Sequence, residues 1–185
     1  MSNPLQEFPA TLSDRLAALE TAREMILNEI SDGVDTKPET GWSVSEITYH
    51  LYLVEKIITT GIQKTLAAQK VERKSDEYLR FEWEQIAERV PGRKQRIVAP
   101  EGSVPANCPP LSEIPRYLKE SRNALKEVLN NTTLDDLASI EIQHPVKEMG
   151  MMISGPGWLS LLAYHDMRHL SQIKEVKQSK SHATA

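Results

Sequence analysis

Four segments of this chain repeat apolar residues at helical spacing, and no segment of useful length alternates as a strand does. That combination confines the fold to helix packed on helix. Leu12, Leu16, Leu19, Ala22, Ile26 and Ile30 form the first stripe, in a helix expected over residues 11–31 and stopped at Asp32-Gly33. Ser43 and Glu46 have the spacing of a capping box and open a second helix, expected to reach about Gln69, with Ile47, His50, Val54, Ile57 and Gly61 as its stripe. A third runs over 112–130 with Ile114, Leu118, Leu125 and Val128 on one face, and a fourth starts near Pro156 and lasts to about Gln178.

Between the second and third helices lies a long crossover. Ser75 caps a short helix there, carrying Leu79, Trp83, Ile86 and Val90 and ended by Pro91-Gly92; proline-rich coil follows from Ala99 to Pro110. A polar, irregular connection through His144-Pro145 and Gly150 leads to the last helix. The expectation is one all-α domain over 1–185: a four-helix bundle with a frayed tail at about 179–185. A crossover this long lets the second helix pair run parallel to the first.

Composition narrows the partners. A net charge of −4 argues against a dedicated nucleic-acid binder. No apolar run approaches the roughly 18 residues that span a membrane, and MSNPLQEF has neither the basic start nor the apolar stretch of a secretory signal. Cys108 is the only cysteine, which rules out an internal disulfide and suits a reducing cytoplasm.

The polar intruders in these stripes carry the chemistry. On the fourth helix Trp158, Leu162, His165, His169, Gln172 and Val176 are spaced 4-3-4-3-4, so a core seam has imidazoles in its middle. His50 interrupts the stripe of the second helix. A buried imidazole without a partner costs about 1–3 kcal/mol, so something must satisfy all three. Backbone, water or carboxylates can do so. Three neutral imidazoles on two facing helices are equally a natural ligand set for a metal, with an open position of the catalytic kind. The glutamate of H-E-x-x-H is missing, so this is not the helical zinc-protease motif.

GWSVSEITYHL (41–51) and GPGWLSLLAYHDMRHLSQI (155–173) together resemble the DinB/YfiT-like superfamily of bacterial metalloproteins. ERVPGRKQRIVAPEGSVP and HPVKEMG resemble one branch of it, so the likeness spans nearly the whole chain. The resemblance implies a four-helix bundle, often a homodimer, with a divalent metal held by His50, His165 and His169. Zinc, nickel and iron all suit such a set.

The neighbours have two readings each. Glu46 either only caps its helix or also serves the site as a base; Asp166 either orients a ligand imidazole or pairs with a structural arginine. Gln172, one turn along the seam, is a donor behind a ligand or a core polar group. Arg168 points away from the seam, and His144 before Pro145 reads as structural rather than as a fourth ligand. His182 in the tail has no expected role, and no base is placed by sequence beside Cys108. Arg89, Arg93, Lys94 and Arg96 read as a solvated loop, the alternative being contact with an anionic substrate at the bundle mouth.

Three imidazoles leave a metal's charge uncompensated and favour an anionic exogenous ligand. With the resemblance, the leading expectation is an enzyme that transfers a low-molecular-weight thiol cosubstrate to a small-molecule electrophile. The alternatives are a hydrolase using metal-activated water, with Glu46 as base, and a non-enzymatic metal or small-ligand binding stress protein.

Overall fold

The computed structural model describes residues 5–68, 70–92, 98–146 and 150–181, with backbone alone described at 180 and 181. Its elements are α1 (Leu12–Glu29), α2 (Val44–Ala67), α3 (Asp76–Arg89), α4 (Ile114–Leu129), α5 (Leu134–Ala138), β1 (Glu141–Gln143), β2 (Met152–Ser154) and α6 (Gly155–Ser181), with 3-10 turns at Glu101–Ser103 and Leu111–Glu113. The described residues are all-α apart from one small ribbon. No described helix is long and apolar enough to cross a membrane.

Each helix start has a local cause. Thr11 and Asp14 form a reciprocal capping box at α1, Ser43 and Glu46 at α2, and Thr133 and Asp136 at α5, while the Ser75 hydroxyl accepts the Tyr78 N–H at α3. The helix expected to end at Gln178 continues to Ser181; residues 182–185, with His182, lie outside the described residues, as do Arg93, Lys94, Arg96 and the middle of HPVKEMG.

α6 packs against α1, α2 and α3, and α2 also packs against α4. Two apolar cores result. One gathers Leu19 and Ala22 of α1, Ile58 and Ile62 of α2, Leu125 and Leu129 of α4, and Trp158 to Tyr164 of α6. The other gathers Ile26, then Ile47 and Leu51, then Ile114 and Leu118, then Leu170 and Ile173. Thus α1 and α6 pass the cores in one order and α2 and α4 in the reverse order. The long α2–α4 crossover makes that possible.

Between the cores each long helix contributes one buried charge: Arg23 (α1), Glu55 (α2), Arg122 (α4) and Asp166 (α6). The Arg23 guanidinium grips Asp166 at 2.9 Å through Nε and reaches Glu55 at 3.2 Å, and Arg122 Nε donates to Glu55 at 2.7 Å. Ser121 adds a hydroxyl to Glu55. Burial works against the Arg23 charge, but Asp166 and Glu55 outweigh it and hold the guanidinium above its ordinary pKa.

This layer corrects the stripe expected on α2. Of the expected stripe, Ile47 and His50 are buried and Val54 packs partly against the first core, but Ile57 is 40% exposed. Leu51, Ile58 and Ile62 fill the cores, with Glu55 between them. A glutamate in mid-stripe made the true face look polar, and only arginines from two other helices make it buriable.

The connection before α6 is also more ordered than expected. β1 pairs antiparallel with β2, Ile142 opposite Ile153, and β2 runs straight into α6. A three-residue strand is too short to show alternation in sequence. Glu82 of α3 receives the Ser154 N–H at 3.0 Å and the Ser154 hydroxyl, setting a carboxylate beside the first turn of α6, where helix N–H groups favour negative charge.

The two glycines of GPG follow from this crowding. A Cβ on Gly155 would sit 2.7 Å from the Leu137 carbonyl oxygen and 3.0 Å from its Cα, and one on Gly157 would strike the Glu82 carboxylate. Gly155→Ala presses on backbone, which cannot swing away. Its expected cost is about 1–3 kcal/mol, read as a lower denaturant midpoint with an unchanged slope.

Candidate metal centre

The start of α2 positions the first imidazole. Asp35 accepts the Ser45 N–H at 2.9 Å and its hydroxyl at 2.8 Å, tying the first turn to the preceding loop. Two turns into the helix, His50 is 5% exposed, and its Nδ1 lies 2.7 Å from the Ser103 carbonyl oxygen in the crossover. A carbonyl only accepts, so Nδ1 carries the hydrogen and Nε2 keeps its lone pair. The Trp42 ring stands beside this imidazole, 5.0 Å between centroids.

His165 and His169 occupy successive turns of α6, the first half-buried and the second buried. Nδ1 of His169 lies 2.8 Å from Oε1 of Gln172, again leaving Nε2 as the donor of a lone pair. The two Nε2 atoms of His165 and His169 are 3.2 Å apart, and the His50 ring lies 5.2 and 4.9 Å from theirs. One nitrogen from each of the three histidines lies within 4.8 Å of the others. Nitrogens on a tetrahedral ion at 2.0–2.1 Å are about 3.3 Å apart, so the α6 pair is already near its bound spacing.

Burial lowers the His50 pKa, with the Ser103 carbonyl opposing, and takes His165 well below the usual histidine value, helped by His169 and His50. Those two rings are therefore neutral at neutral pH, the form that ligates. Donor type, tautomer and convergence together fit a divalent metal.

With fold and triad in view, the comparison with known families is decisive: the model of the DinB superfamily matches residues 10–173. The chain belongs to the DinB superfamily. No curated protein and no solved structure matches it.

The remaining site candidates of this DinB-superfamily chain fall into distinct places. Gln172 is against His169, as above. Gln172→Leu removes the acceptor that orients this ring and should weaken metal affinity about 10- to 100-fold, measured by competition with a chelating dye. Asp166 is one of the four charges between the cores and gives its carboxylate to Arg23. Glu46 accepts the Ser43 N–H at 2.6 Å and pairs with Lys37. Burial raises its carboxyl, but Lys37 and Ser43 outweigh that and hold it below the ordinary glutamate value.

Farther out, Arg168 donates to the Val90 carbonyl at 3.4 Å, and His144 stacks on Trp158 with centroids 5.7 Å apart. Cys108 donates to the Pro109 carbonyl, and burial pushes its thiol up, away from nucleophilic character.

The sequence reading missed the Ser103 carbonyl and Trp42. Any residue supplies a carbonyl, so Ser103 has no signature. Trp42 had one, an aromatic directly before the α2 capping box.

Proposed function

We propose that the protein is a divalent-metal-dependent enzyme that transfers a low-molecular-weight thiol to a small electrophile. The observation that carries this reading is that, among the described residues, the groups converging to hold an ion are three imidazoles and no carboxylate. A metal held by His50, His165 and His169 supplies positive charge that stabilises a thiolate at neutral pH, where a free thiol of pKa about 8.5 is mostly protonated. The chain's part is orientation: the Ser103 carbonyl and Gln172 keep Nε2 of His50 and His169 turned inward, and Trp42 shields one side of the His50 ring. A hydrolase needs a base near the reacting water. Glu46, the candidate for it, is committed to Lys37 and to its cap, which favours thiol transfer.

The test is a panel of thiols (bacillithiol, mycothiol, glutathione, coenzyme A) offered with one electrophile, beside a thiol-free ester and amide screen. Metal-loaded protein is expected to accelerate conjugation with some thiols and not others, and His165→Ala or chelation to abolish the gain. Turnover only in the thiol-free arm would overturn the proposal in favour of metal-activated water.

A further inference from the structure

Away from the histidines, the one buried cation outside the charged layer among the described residues is Arg15 on α1, 2% exposed. Its Nη1 donates to the Pro156 carbonyl at 3.0 Å and to the Ser160 hydroxyl at 2.8 Å. Nε and Nη2 are buried and have no hydrogen-bond partner among the described residues. In guanidinium geometry Nε–H and Nη2–H form one side-on fork, two donors converging on one acceptor. The same chain shows what that fork takes: in Arg23, Nε and Nη2 grip the two oxygens of Asp166.

Arg15 lines a narrow cavity with Leu5, Pro9, Ala18, Ser160 and Ala163 among its walls and the exposed Glu7 at its edge, with room for about one water-sized particle. Phe8 lies over the guanidinium, 5.4 Å from its centre, which covers a face and leaves the in-plane donors unserved. The nearby carboxylate of Glu82 spends its hydrogen-bonding oxygens on Ser154. Burial brings Arg15 down to about 10, so it remains a cation at neutral pH.

We propose that the side-on fork of Arg15 holds a monatomic anion of the chloride class in this cavity. A carboxylate or phosphate is too large for the space. Water also fits and accepts from the fork, but only an anion places negative charge on it; Glu82 and Asp14 favour the Arg15 charge without a hydrogen bond to these nitrogens. The ion then joins α1, the first turns of α6 and the 5–9 segment, whose Leu5 carbonyl receives the Tyr164 hydroxyl at the same cavity.

The experiment uses the full chain at one fixed metal loading. Thermal midpoints are recorded in sodium chloride and sodium gluconate at matched ionic strength, for wild type and for Ala163→Val, which narrows the cavity and keeps Arg15. Wild type is expected to gain about 3–6 °C, saturably, from chloride at ten times its dissociation constant. Ala163→Val is expected to gain nothing; a halide bound at the histidines acts equally on both proteins and so cancels. Crystals of wild type grown in bromide are expected to show its anomalous signal within hydrogen-bonding reach of both nitrogens. Equal shifts in chloride and gluconate, equal shifts in both proteins, or a water at the fork in the bromide crystals would each overturn the proposal. Should Ala163→Val fail to fold, the bromide position decides alone.

Discussion

Glu55→Ala is expected to cost about 3–5 kcal/mol of folding stability, a large share of the 5–15 kcal/mol typical of a domain. Glu55 is fully buried and faces two arginines, with Arg23 at 3.2 Å and Arg122 at 2.7 Å. Removing it leaves Arg23 on Asp166, and leaves Arg122 with Asp166 at 3.8 Å and the partly exposed Glu20 at 3.4 Å. The buried Arg122 charge then loses its closest partner and keeps only these two weaker pairs, and breaking a buried pair is far more damaging than the pair is stabilising. A quadruple replacement of Arg23, Glu55, Arg122 and Asp166 by methionine and leucine removes every charge at once. It is expected to be neutral or more stable by about 1–4 kcal/mol. Guanidinium unfolding of the two variants checks this. A loss below 1 kcal/mol in Glu55→Ala would show that water or side-chain rearrangement reaches the layer.

His169→Ala is expected to abolish stoichiometric metal binding while leaving a helical, soluble protein. His169 is central to the triad, its Nε2 3.2 Å from that of His165 and its ring 4.9 Å from that of His50. Neither apolar core depends on it. Elemental analysis of untagged protein provides the readout, and one metal per chain retained in the variant contradicts the triad. Chelating fully loaded wild type is expected to lower its thermal midpoint. An ion at a hundred times its dissociation constant contributes about 2.7 kcal/mol, or about 5–10 °C for a chain of this length. An unchanged midpoint would mean that metal binds folded and unfolded chains alike.

The helical character, the starts of α2 and α3 and the three histidines were legible without coordinates, because each depends on local spacing: caps act over three residues and a helix face repeats every three or four. The face of α2 was not. Two overlapping stripes compete there, and the one with fewer charges, through Val54 and Ile57, reads as the core. In the fold Val54 packs only partly against a core and Ile57 is exposed, while the stripe with Leu51, Glu55, Ile58 and Ile62 is buried, since Arg23 and Arg122 arrive from α1 and α4 to neutralise Glu55. The same holds for Arg15, an ordinary surface residue by type, and for Asp166, whose two readings differ only in which neighbour comes within reach.

By itself, then, the sequence determined the helices and their caps, the need for partners at three core histidines, and a family whose pattern accounts for them. Tertiary structure alone decided which nitrogens meet, which carbonyl sets the tautomer of His50, and where four charges are hidden. The difference is physical. Propensity, capping and periodicity are properties of neighbours along the chain, whereas burial of a charge is stabilised or penalised by groups that other helices bring, and no local spacing records them.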